Sequence, residues 1–291
     1  MIDAAILAAI EARIARAIAL PAAHYRPFVV DGIAVGLIDD ARAARLSVFD
    51  CFDVKREALV LRPRLATPET RSAAIADVAA ALRSEGALPA WRDELYAAAR
   101  GFADPPLFLI ERGAARYFGL RTYAAHVNGI VAQDETRMWL ARRSAEKAVD
   151  PGLLDNLVGG GIAAGFRVDQ TVVKEAWEEA GIDESLARGA RPAGIVCAVK
   201  PMFDGLQRET LFVHDLPLPA DFVPRGQDGE AVEHRLVTLR DAAHTIANDN
   251  GDDEVTLDAS LVVLDYLIRE GAIRPDQPRY AELAALLRAR R

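Results

Sequence analysis

The sequence predicts an α/β protein in which a mixed β-sheet lies between helices, preceded by a smaller α+β domain. Its 291 residues suggest one large domain or two domains of ordinary size. In the later part of the chain, apolar β-prone segments alternate with segments of helical periodicity. The pattern of predicted elements changes near residue 120, although no linker-like segment separates the two parts. We therefore predict two tightly packed domains, 1–120 and 121–291.

The composition is typical of a globular protein with a substantial core. Hydrophobic residues make up 51% of the chain and charged residues 27%, which argues against global disorder. The net charge of -8 and the pI near 5.3 argue against nonspecific binding to nucleic acids or to anionic membranes. A small phosphorylated ligand is compatible with this charge, because a bound cation reverses the sign locally.

Cysteine usage and the N-terminal segment bear on the compartment. Cys51 and Cys197 are far apart and have neither the spacing of a zinc site nor a CxxC motif, so no disulfide framework is expected. The first twenty residues are apolar but interrupted by charges, which is typical of an amphipathic helix and not of a secretory or membrane-spanning segment. A transit peptide is the alternative, and the early acidic residues argue against it. We therefore predict a cytoplasmic protein that neither inserts into a membrane nor binds nucleic acid.

Local signals place the elements of the first domain. Asp31-Gly32, between two apolar runs, predicts a β-hairpin. Thr67-Pro68 is a typical helix start and Gly86 a typical helix end. The predicted elements are a helix over 1–23, a hairpin over 27–39, a short helix over 41–46, one or two strands within 48–61, and helices over 67–85, 94–100 and 107–117. The last helix begins with an apolar run that is equally compatible with a strand.

The second domain is predicted to alternate strands with helices. A polar turn at 133–135 joins its first two strands, and the β-prone residues 211–213 lie in a later one. Predicted strands cover 122–132, 137–142, 193–202, 208–215 and 234–238. Predicted helices follow Gly165, cover 239–247 and 257–271, and begin again at Tyr280.

The segment 159–182, GGGIAAGFRVDQTVVKEAWEEAGI, contains the strongest functional signal. Glu175, Glu178 and Glu179 are spaced i, i+3 and i+4, so the predicted helix carries all three carboxylates on one face. Like charges this close repel each other unless a cation lies between them, and oxygen ligands suit a hard divalent ion such as Mg²⁺. The preceding glycines let the backbone approach a metal or a phosphate closely. The alternative is a solvated acidic helix face without function.

This segment resembles the Nudix box, whose pattern is G-x5-E-x7-R-E-U-x-E-E-x-G-U, where U is an aliphatic residue. Gly160 takes the first position, the three glutamates take the carboxylate positions of the helix, and Gly181-Ile182 take the last positions. The spacing is preserved throughout, but Phe166 stands in place of the first Glu and Lys174 in place of the Arg. Lys174 keeps a positive charge without the bidentate fork of an Arg. The resemblance implies a Nudix α/β/α sandwich and a metal-dependent diphosphate hydrolase, with reduced or altered activity because of Phe166.

The flanks of the box are similar to one Nudix branch, which is related to the Nudix module fused to thiamine pyrophosphokinase in some chains. The similar stretches are HVNG at 126–129, MWLARRSAEKAVDPGLLDN at 138–156, FVHDL at 212–216, DFVP at 221–224, DGE at 228–230 and LVVLDYLIREGAI at 261–273. That branch carries an N-terminal extension of similar size. The resemblance implies hydrolysis of thiamine diphosphate, particularly of its oxidised, damaged forms, to the monophosphate.

The resemblance also implies roles for individual side chains. Glu178 and Glu179 are predicted metal ligands, and Glu175 is a ligand or orients the catalytic base. A late glutamate often joins such sites, so Glu230 is a candidate ligand or base, with Glu233 as its competitor. Predicted substrate-binding residues are Arg143, Lys147, Gly160, Gly161 and Asn128. The expected cofactor is Mg²⁺, with Mn²⁺ as an alternative.

Aromatic side chains are needed if the substrate carries a ring. The candidates for stacking on it are Tyr117, Phe118 and Phe203. Trp139 and Trp177 are predicted core residues, Trp177 because it points away from the helix face that carries the glutamates.

Three functions are compatible with the sequence. The first is Mg²⁺-dependent hydrolysis of a small-molecule diphosphate, by resemblance thiamine diphosphate or an oxidised analogue. The second keeps this chemistry with a nucleoside diphosphate derivative as substrate. The third is a binding module that holds a phosphorylated ligand without turnover, because Phe166 removes one acidic group of the box. The oligomeric state stays open between a monomer and a homodimer.

Overall fold

The computed structural model describes residues 2–20, 24–249, 251 and 253–288. These residues form a four-stranded and a two-stranded sheet in the first half of the chain and a seven-stranded sheet in the second half. None of the described helices is both long enough and apolar enough to cross a membrane.

The first half of the chain contains short strands and three helices. The helices are α1 (Ala4–Ala17), α2 (Asp40–Leu46) and α3 (Pro68–Ser84), and the strands are β1 (Tyr25–Val30), β2 (Ile33–Asp39), β3 (Phe52–Val54), β4 (Leu59–Leu61), β5 (Leu95–Ala98) and β6 (Phe108–Glu111). A 3₁₀ turn, Arg112–Ala114, follows β6. The first four strands form one sheet in the order β2-β1-β4-β3, and β5 pairs with β6.

The predicted hairpin and the predicted long helix of this half are confirmed. Asp31 and Gly32 have positive φ angles of 53° and 76°, as the tight turn between β1 and β2 requires. The Thr67 side chain accepts a hydrogen bond from the backbone N–H of Thr70 and caps α3. Phe28 on β1 packs against three other phenylalanine rings, which joins these elements in one core.

Two predicted helices of this half are wrong. The segment 94–100 contains β5, and the segment 107–117 begins with β6, so a strand is the correct alternative at its start. The two strands pair antiparallel, with Leu95 opposite Glu111. Helices this short are only marginally stable on their own. Pairing between β5 and β6 instead provides hydrogen-bond partners for the backbone groups of these two segments.

The second half of the chain forms the large mixed sheet that the sequence predicts. Its strands are β7 (Arg121–Val131), β8 (Arg137–Arg143), β9 (Leu154–Asn156), β10 (Val158–Gly161), β11 (Arg191–Met202), β12 (Gly205–Pro217) and β13 (Ala231–Thr238), and its helices are α4 (Val168–Ala180), α5 (Glu184–Ala187), α6 (Leu239–Ala247), α7 (Leu257–Arg269) and α8 (Tyr280–Leu286). The main order is β11-β12-β7-β8-β13, with β10 beside β7 and β9 beside β8. The pair β12 and β7 is parallel, whereas the other pairs are antiparallel.

Strand β7 shows why helices cover both faces of this sheet. Its side chains alternate between the two faces, as on any strand. Ala124 lies in an apolar core with α1, α6 and α7, whereas Ala125 and Val127 lie in a second core with α4. Each face buries its own set of apolar side chains, and the predicted α/β/α sandwich is confirmed.

Helix α1 packs against the sandwich and not against the first domain. The predicted helix over 1–23 is shorter than expected, because α1 ends at Ala17; residues 1 and 21–23 lie outside the described residues. Ile10 and Ile14 are fully buried in the core formed with α6 and α7. The predicted division at residue 120 places this helix in the first domain, but its buried side chains belong to the core of the second.

A buried arginine connects α1 to the sandwich. Arg13 Nη1 donates a hydrogen bond to Ser260 Oγ over 2.8 Å, and Nη2 donates to the backbone carbonyl of Val255. The carboxylate of Glu254 lies 3.7 Å from Nη2 and supplies the opposite charge. One side chain thus satisfies polar groups from several elements of the sandwich.

The first domain contacts the sandwich through charged and backbone groups. Arg116 Nη2 lies 2.7 Å from Asp204 Oδ2, and this ion pair is largely buried. Arg42 Nη2 donates to the backbone carbonyl of Phe203 over 2.8 Å. The two halves of the chain therefore pack directly on each other, as the lack of a linker predicts.

We predict that Arg13→Ala lowers the free energy of unfolding by about 2–4 kcal/mol, because it leaves buried acceptors without their donor. Arg16→Ala is the matched control, since Arg16 pairs with Asp249 at the surface and its loss should change stability by less than about 1 kcal/mol. Urea denaturation followed by circular dichroism measures both variants. Equal effects of the two substitutions would contradict the anchoring role of Arg13.

Candidate active site

The glycine-rich strand β10 is flanked by β7 and by helix α4. Gly165, with a φ of 86°, turns the chain between β10 and α4, and Gly181, with a φ of 64°, ends α4. Both are left-handed conformations that glycine adopts without strain. The helix folds back against its own strand, so that the Gly159 N–H donates to Glu179 Oε2 over 2.8 Å.

The glycines of β10 allow other groups to approach the strand closely. A Cβ on Gly160 would overlap the side chain of Glu175, and a Cβ on Gly161 would overlap the hydroxyl of Tyr96. A Cβ on Gly159 would lie 2.9 Å from a buried imidazole. Side chains from the catalytic helix, from β7 and from the first domain therefore all meet at this strand.

Helix α4 presents its three glutamates together, as their spacing predicts. Glu179 is 8% exposed, and Glu175 and Glu178 are partly buried. Lys174 Nζ donates to Glu175 Oε1 over 3.0 Å and to Glu178 Oε2 over 2.6 Å. Although burial lowers it, these hydrogen bonds raise the pKa of Lys174 above its ordinary value. Lys174 thus contacts two carboxylates from the position that an Arg takes in the box.

The donor set of this helix fits a hard divalent cation. Burial, together with the charges of Asp155 and Glu175, raises the pKa of Glu179 to about 8. A cation beside Glu179 and Glu175 would remove this repulsion and favour the charged form. Within the described part of the chain, no group of three or more acidic, histidine or cysteine side chains is arranged to hold a metal ion. Because Lys174 contacts Glu175 and Glu178, an ion held by both carboxylates would take the place of its ammonium group.

A cavity of about 400 Å³ opens beside Glu175, where the two domains meet, and neither Glu178 nor Glu179 lines it. The sandwich contributes Glu175, Asp155 and the glycines of β10 to its lining. The first domain contributes charged side chains and one aromatic ring: Arg92, Glu94, Tyr96, Arg112 and Arg116. This volume lies within the usual range of small-molecule sites.

Of the two late glutamates, Glu230 lines the cavity and Glu233 does not. Glu230 forms an ion pair with Lys147, which also lines the cavity. Glu233 pairs with Arg235 and Arg142, whose hydrogen bonds lower the pKa of Glu233 to about 2. The structure therefore brings Glu230 and Lys147 to the site and places Glu233 and Arg142 outside it.

Of the other predicted substrate-binding side chains, Arg143 lines the cavity and Asn128 does not. Arg143 Nη1 donates to Asp155 Oδ2 over 2.8 Å, which fixes the guanidinium at the cavity wall. Asn128 is 0% exposed, and its Nδ2 donates to Asp215 Oδ1 over 2.9 Å. The structure contradicts the predicted contact of Asn128 with substrate, because its side-chain amide donates a hydrogen bond to Asp215 within the sheet.

Two aromatic residues of the box lie at the surface. The first is Trp177, which is 52% exposed, so the prediction that it is a core residue is wrong. Trp139, which lies outside the box, is buried as predicted. Phe166 is 46% exposed and lines an open apolar groove with Phe102 and Phe212, outside the polar cavity. The replacement of the first box Glu by Phe166 therefore leaves the acidic lining of the cavity in place.

The predicted stacking residues do not line the cavity; they are Tyr117, Phe118 and Phe203. The first two are buried in the first domain, and the third is exposed. Sequence reasoning missed the aromatic ring that does line it, Tyr96, and most of its polar residues, among them Gln207, Glu209 and Asp258. The spacing of Gln207 and Glu209 was a usable signal, because residues i and i+2 share one face of a strand.

Comparison with known proteins covers both halves of the chain. Family models match a domain of unknown function, DUF4743, over residues 9–122 and the NUDIX domain over residues 122–258. Nudix hydrolase 24, chloroplastic, of Arabidopsis thaliana is 40% identical over 269 residues, which cover 91% of this chain and 73% of the relative. Nudix hydrolase 20, chloroplastic, of the same plant is 36% identical over 278 residues, which cover 92% and 74%. A solved structure from Deinococcus radiodurans is 22% identical with a TM-score of 0.44, and the match covers 60% of this chain and 98% of that one.

The fold, the glutamate helix and the cavity define an enzyme that acts on small molecules containing a diphosphate. The chain belongs to the Nudix hydrolase family. A binding module without turnover, which the departure at Phe166 left open, is therefore set aside in favour of a Nudix-type hydrolase.

We predict that Gly161→Ala lowers kcat/KM at least about 10-fold, because the added Cβ meets the hydroxyl of Tyr96 and displaces the cavity wall. Adding Tyr96→Phe to this variant should restore part of the activity. Gly194→Ala is the matched control, since no atom lies within 4 Å of its Cβ position. Initial rates of phosphate release measure all three. Wild-type activity of Gly161→Ala would show that β10 tolerates a side chain.

The metal-free enzyme should lose stability as the pH rises from about 4.5 to about 8. The folded chain keeps a proton on Glu179, whose pKa burial raises from 4.5 to about 8, whereas the unfolded chain releases it in this range. Glu179→Gln removes this titration, so the variant should match the wild type at the lower pH and exceed its melting temperature at the higher. Thermal unfolding in EDTA measures the difference. A variant that is less stable than the wild type at the higher pH would contradict the raised pKa.

Proposed function

We propose that this Nudix hydrolase cleaves thiamine diphosphate or an oxidised analogue, with Mg²⁺, to the monophosphate and phosphate. The observation that carries the proposal is the lining of one cavity by a glutamate of the box helix, by several cations and by a separate acidic group. The glutamate and the cations suit a diphosphate with its metal ion, and the separate acidic group suits a cationic ring or a ring with several hydrogen-bond donors. The flanking sequences that are similar to the thiamine-related branch support the same substrate.

Positive side chains are available for the phosphates. Arg143 and Lys147 come from the sandwich, and Arg92 comes from the first domain. Burial lowers the pKa of Lys147, and an arriving phosphate would favour its charged form. In this proposal the three cations bind phosphate oxygens, while Gly160 and Gly161 make room for Glu175 and Tyr96 beside the substrate.

The glutamates of α4 would hold Mg²⁺, or Mn²⁺ in its place. The ion, when bound, neutralises charge on the phosphate oxygens and lowers the pKa of a water molecule. In the proposal Glu175, Glu178 and Glu179 are its ligands, and Glu230 accepts the proton of the attacking water. The ion pair with Lys147 keeps the carboxylate of Glu230 at the cavity.

A nucleoside diphosphate derivative is the second candidate substrate. The cavity contains the ring of Tyr96 beside the acceptors of Glu209 and Asp258. A nucleobase offers a flat face and N–H donors, as an aminopyrimidine does, so the same lining would suit it.

We predict that thiamine diphosphate releases phosphate with Mg²⁺ and that EDTA stops the reaction. Glu179→Gln and Glu230→Gln should each lower kcat by about 10²–10⁴, because one removes a metal ligand and the other the base. Glu233→Gln is the matched control and should keep wild-type activity, since its carboxylate is held outside the cavity by two arginines. Equal activity of the Glu230 and Glu233 variants would exclude Glu230 as the base. Full activity of Glu179→Gln would remove the metal assignment.

Substrate choice is tested by a competition assay with thiamine diphosphate, its oxidised analogues, ADP-ribose and NADH. The proposal expects the highest kcat/KM for one of the thiamine compounds. A higher kcat/KM for ADP-ribose or NADH would replace the thiamine assignment with the nucleoside one and leave the diphosphate chemistry intact.

A further inference from the structure

Gln207, Glu209 and Asp258 form a hydrogen-bonded acidic group that the proposed hydrolysis does not use. Gln207 Nε2 donates to Glu209 Oε2 over 3.0 Å and to Asp258 Oδ2 over 2.9 Å. Thr122 Oγ1 donates to Glu209 Oε1 over 3.1 Å. All four residues line the cavity. The amide and the hydroxyl therefore orient two carboxylates that lie at the cavity surface.

These two carboxylates form no short-range ion pair in the part of the chain that the structure describes, although Arg112 acts on Glu209 and His126 on Asp258 at longer range. Within the described ranges, neither has a lysine or arginine at ion-pair distance, and Asp258 Oδ1 is buried without a hydrogen-bond partner. Arg112 also lines the cavity, but its Nη1 lies 2.8 Å from Glu94 Oε2. Burial and the charge of Glu209 raise the pKa of Asp258 to about 7. A ligand that donates a hydrogen bond to the accessible part of these carboxyl groups would stabilise their charged forms.

The sheet register separates this group from the metal-binding glutamates. On β7, Thr122 lies opposite Glu209, whereas His126, on the same face of the sheet, lies opposite Gly159, whose N–H donates to Glu179. Four residues of strand separate the two positions, which is about 13 Å at about 3.3 Å per residue. A substrate that reaches both positions is therefore extended, with its diphosphate at one end and another polar group at the other.

Tyr96 lies along the path between the two ends. Its hydroxyl packs against Gly161, which pairs with Ala124 on β7, between the two positions just described. The guanidinium of Arg112 lies over its ring, 5.5 Å from the centroid. The first domain thus supplies a flat aromatic side chain beside the organic part of a substrate that spans the cavity.

We propose that Gln207, Glu209 and Asp258 are the subsite that binds the N–H donors of the substrate's nitrogen heterocycle, such as an aminopyrimidine. The inference rests on the proposed function for the position of the diphosphate. Glu209 and Asp258 accept hydrogen bonds from the ring, and Gln207 holds both carboxylates in place. This subsite determines specificity, because a diphosphate without such a ring brings no donor to the carboxylates of Glu209 and Asp258.

Two probes that each carry one half of the substrate test the subsite by isothermal titration calorimetry on the full chain. Free thiamine has the ring and no phosphate, and inorganic pyrophosphate with Mg²⁺ has the phosphates and no ring. Glu209→Gln and Asp258→Asn should weaken thiamine binding at least about 10-fold and change pyrophosphate binding less than about twofold. Glu135→Gln, at an exposed carboxylate in the turn before β8, is the matched control and should change neither.

Unchanged thiamine binding in both variants would overturn the inference, and so would an equal loss of both probes, which would indicate general damage to the cavity. Adenosine, as a second ring without phosphates, separates the inference from the proposed function. If the wild type does not hydrolyse thiamine diphosphate but binds adenosine with the same dependence on Glu209 and Asp258, the proposed substrate fails and the subsite stands. If the wild type binds neither ring, the subsite fails even where thiamine diphosphate is hydrolysed.

Discussion

The close packing of helix α4 against the glycine strand β10 is the constraint on which the site depends. Because Gly159 donates its N–H to Glu179, the catalytic helix is tied to the strand that precedes it. Because β10 also pairs with β7, the carboxylates take their position from the central sheet. On the other side of Gly161, Tyr96 brings the first domain to the same strand. A strand of side-chain-bearing residues would separate these elements and open the cavity.

The site contains two carboxyl groups whose charged forms the protein by itself disfavours. Glu179 lies at the metal-binding end and Asp258 at the other end of the cavity, and burial is the largest cause that raises the pKa of each. Such groups reduce the stability of the free enzyme and favour ligands that bring positive charge or donors. A divalent ion at one end and an N–H-bearing ring at the other are complementary to this distribution.

Sequence patterns predicted the elements that depend on interactions between residues close together in the chain. The hairpin at Asp31-Gly32 and helix α4 follow from turn chemistry, helix signals and the spacing of charges, all of which act over a few residues. Strand β5 was missed, and β6 was left open between a helix and a strand, because short segments take their structure from the partner they pair with. Asn128 was misassigned because alternation along β7 does not reveal which side chains reach a cavity and which bond within the sheet.

By itself, the sequence determined the family, the glutamate helix and the kind of bond that is cleaved, because these depend on spacing within one short segment. Only the tertiary structure decided between Glu230 and Glu233. Glu230 pairs with Lys147 at the cavity, whereas Glu233 pairs with arginines outside it. It also joined Tyr96 to an acidic group from β12 and α7. These contacts join residues far apart in the chain, and their distances follow from sheet register and domain packing, which no local pattern encodes.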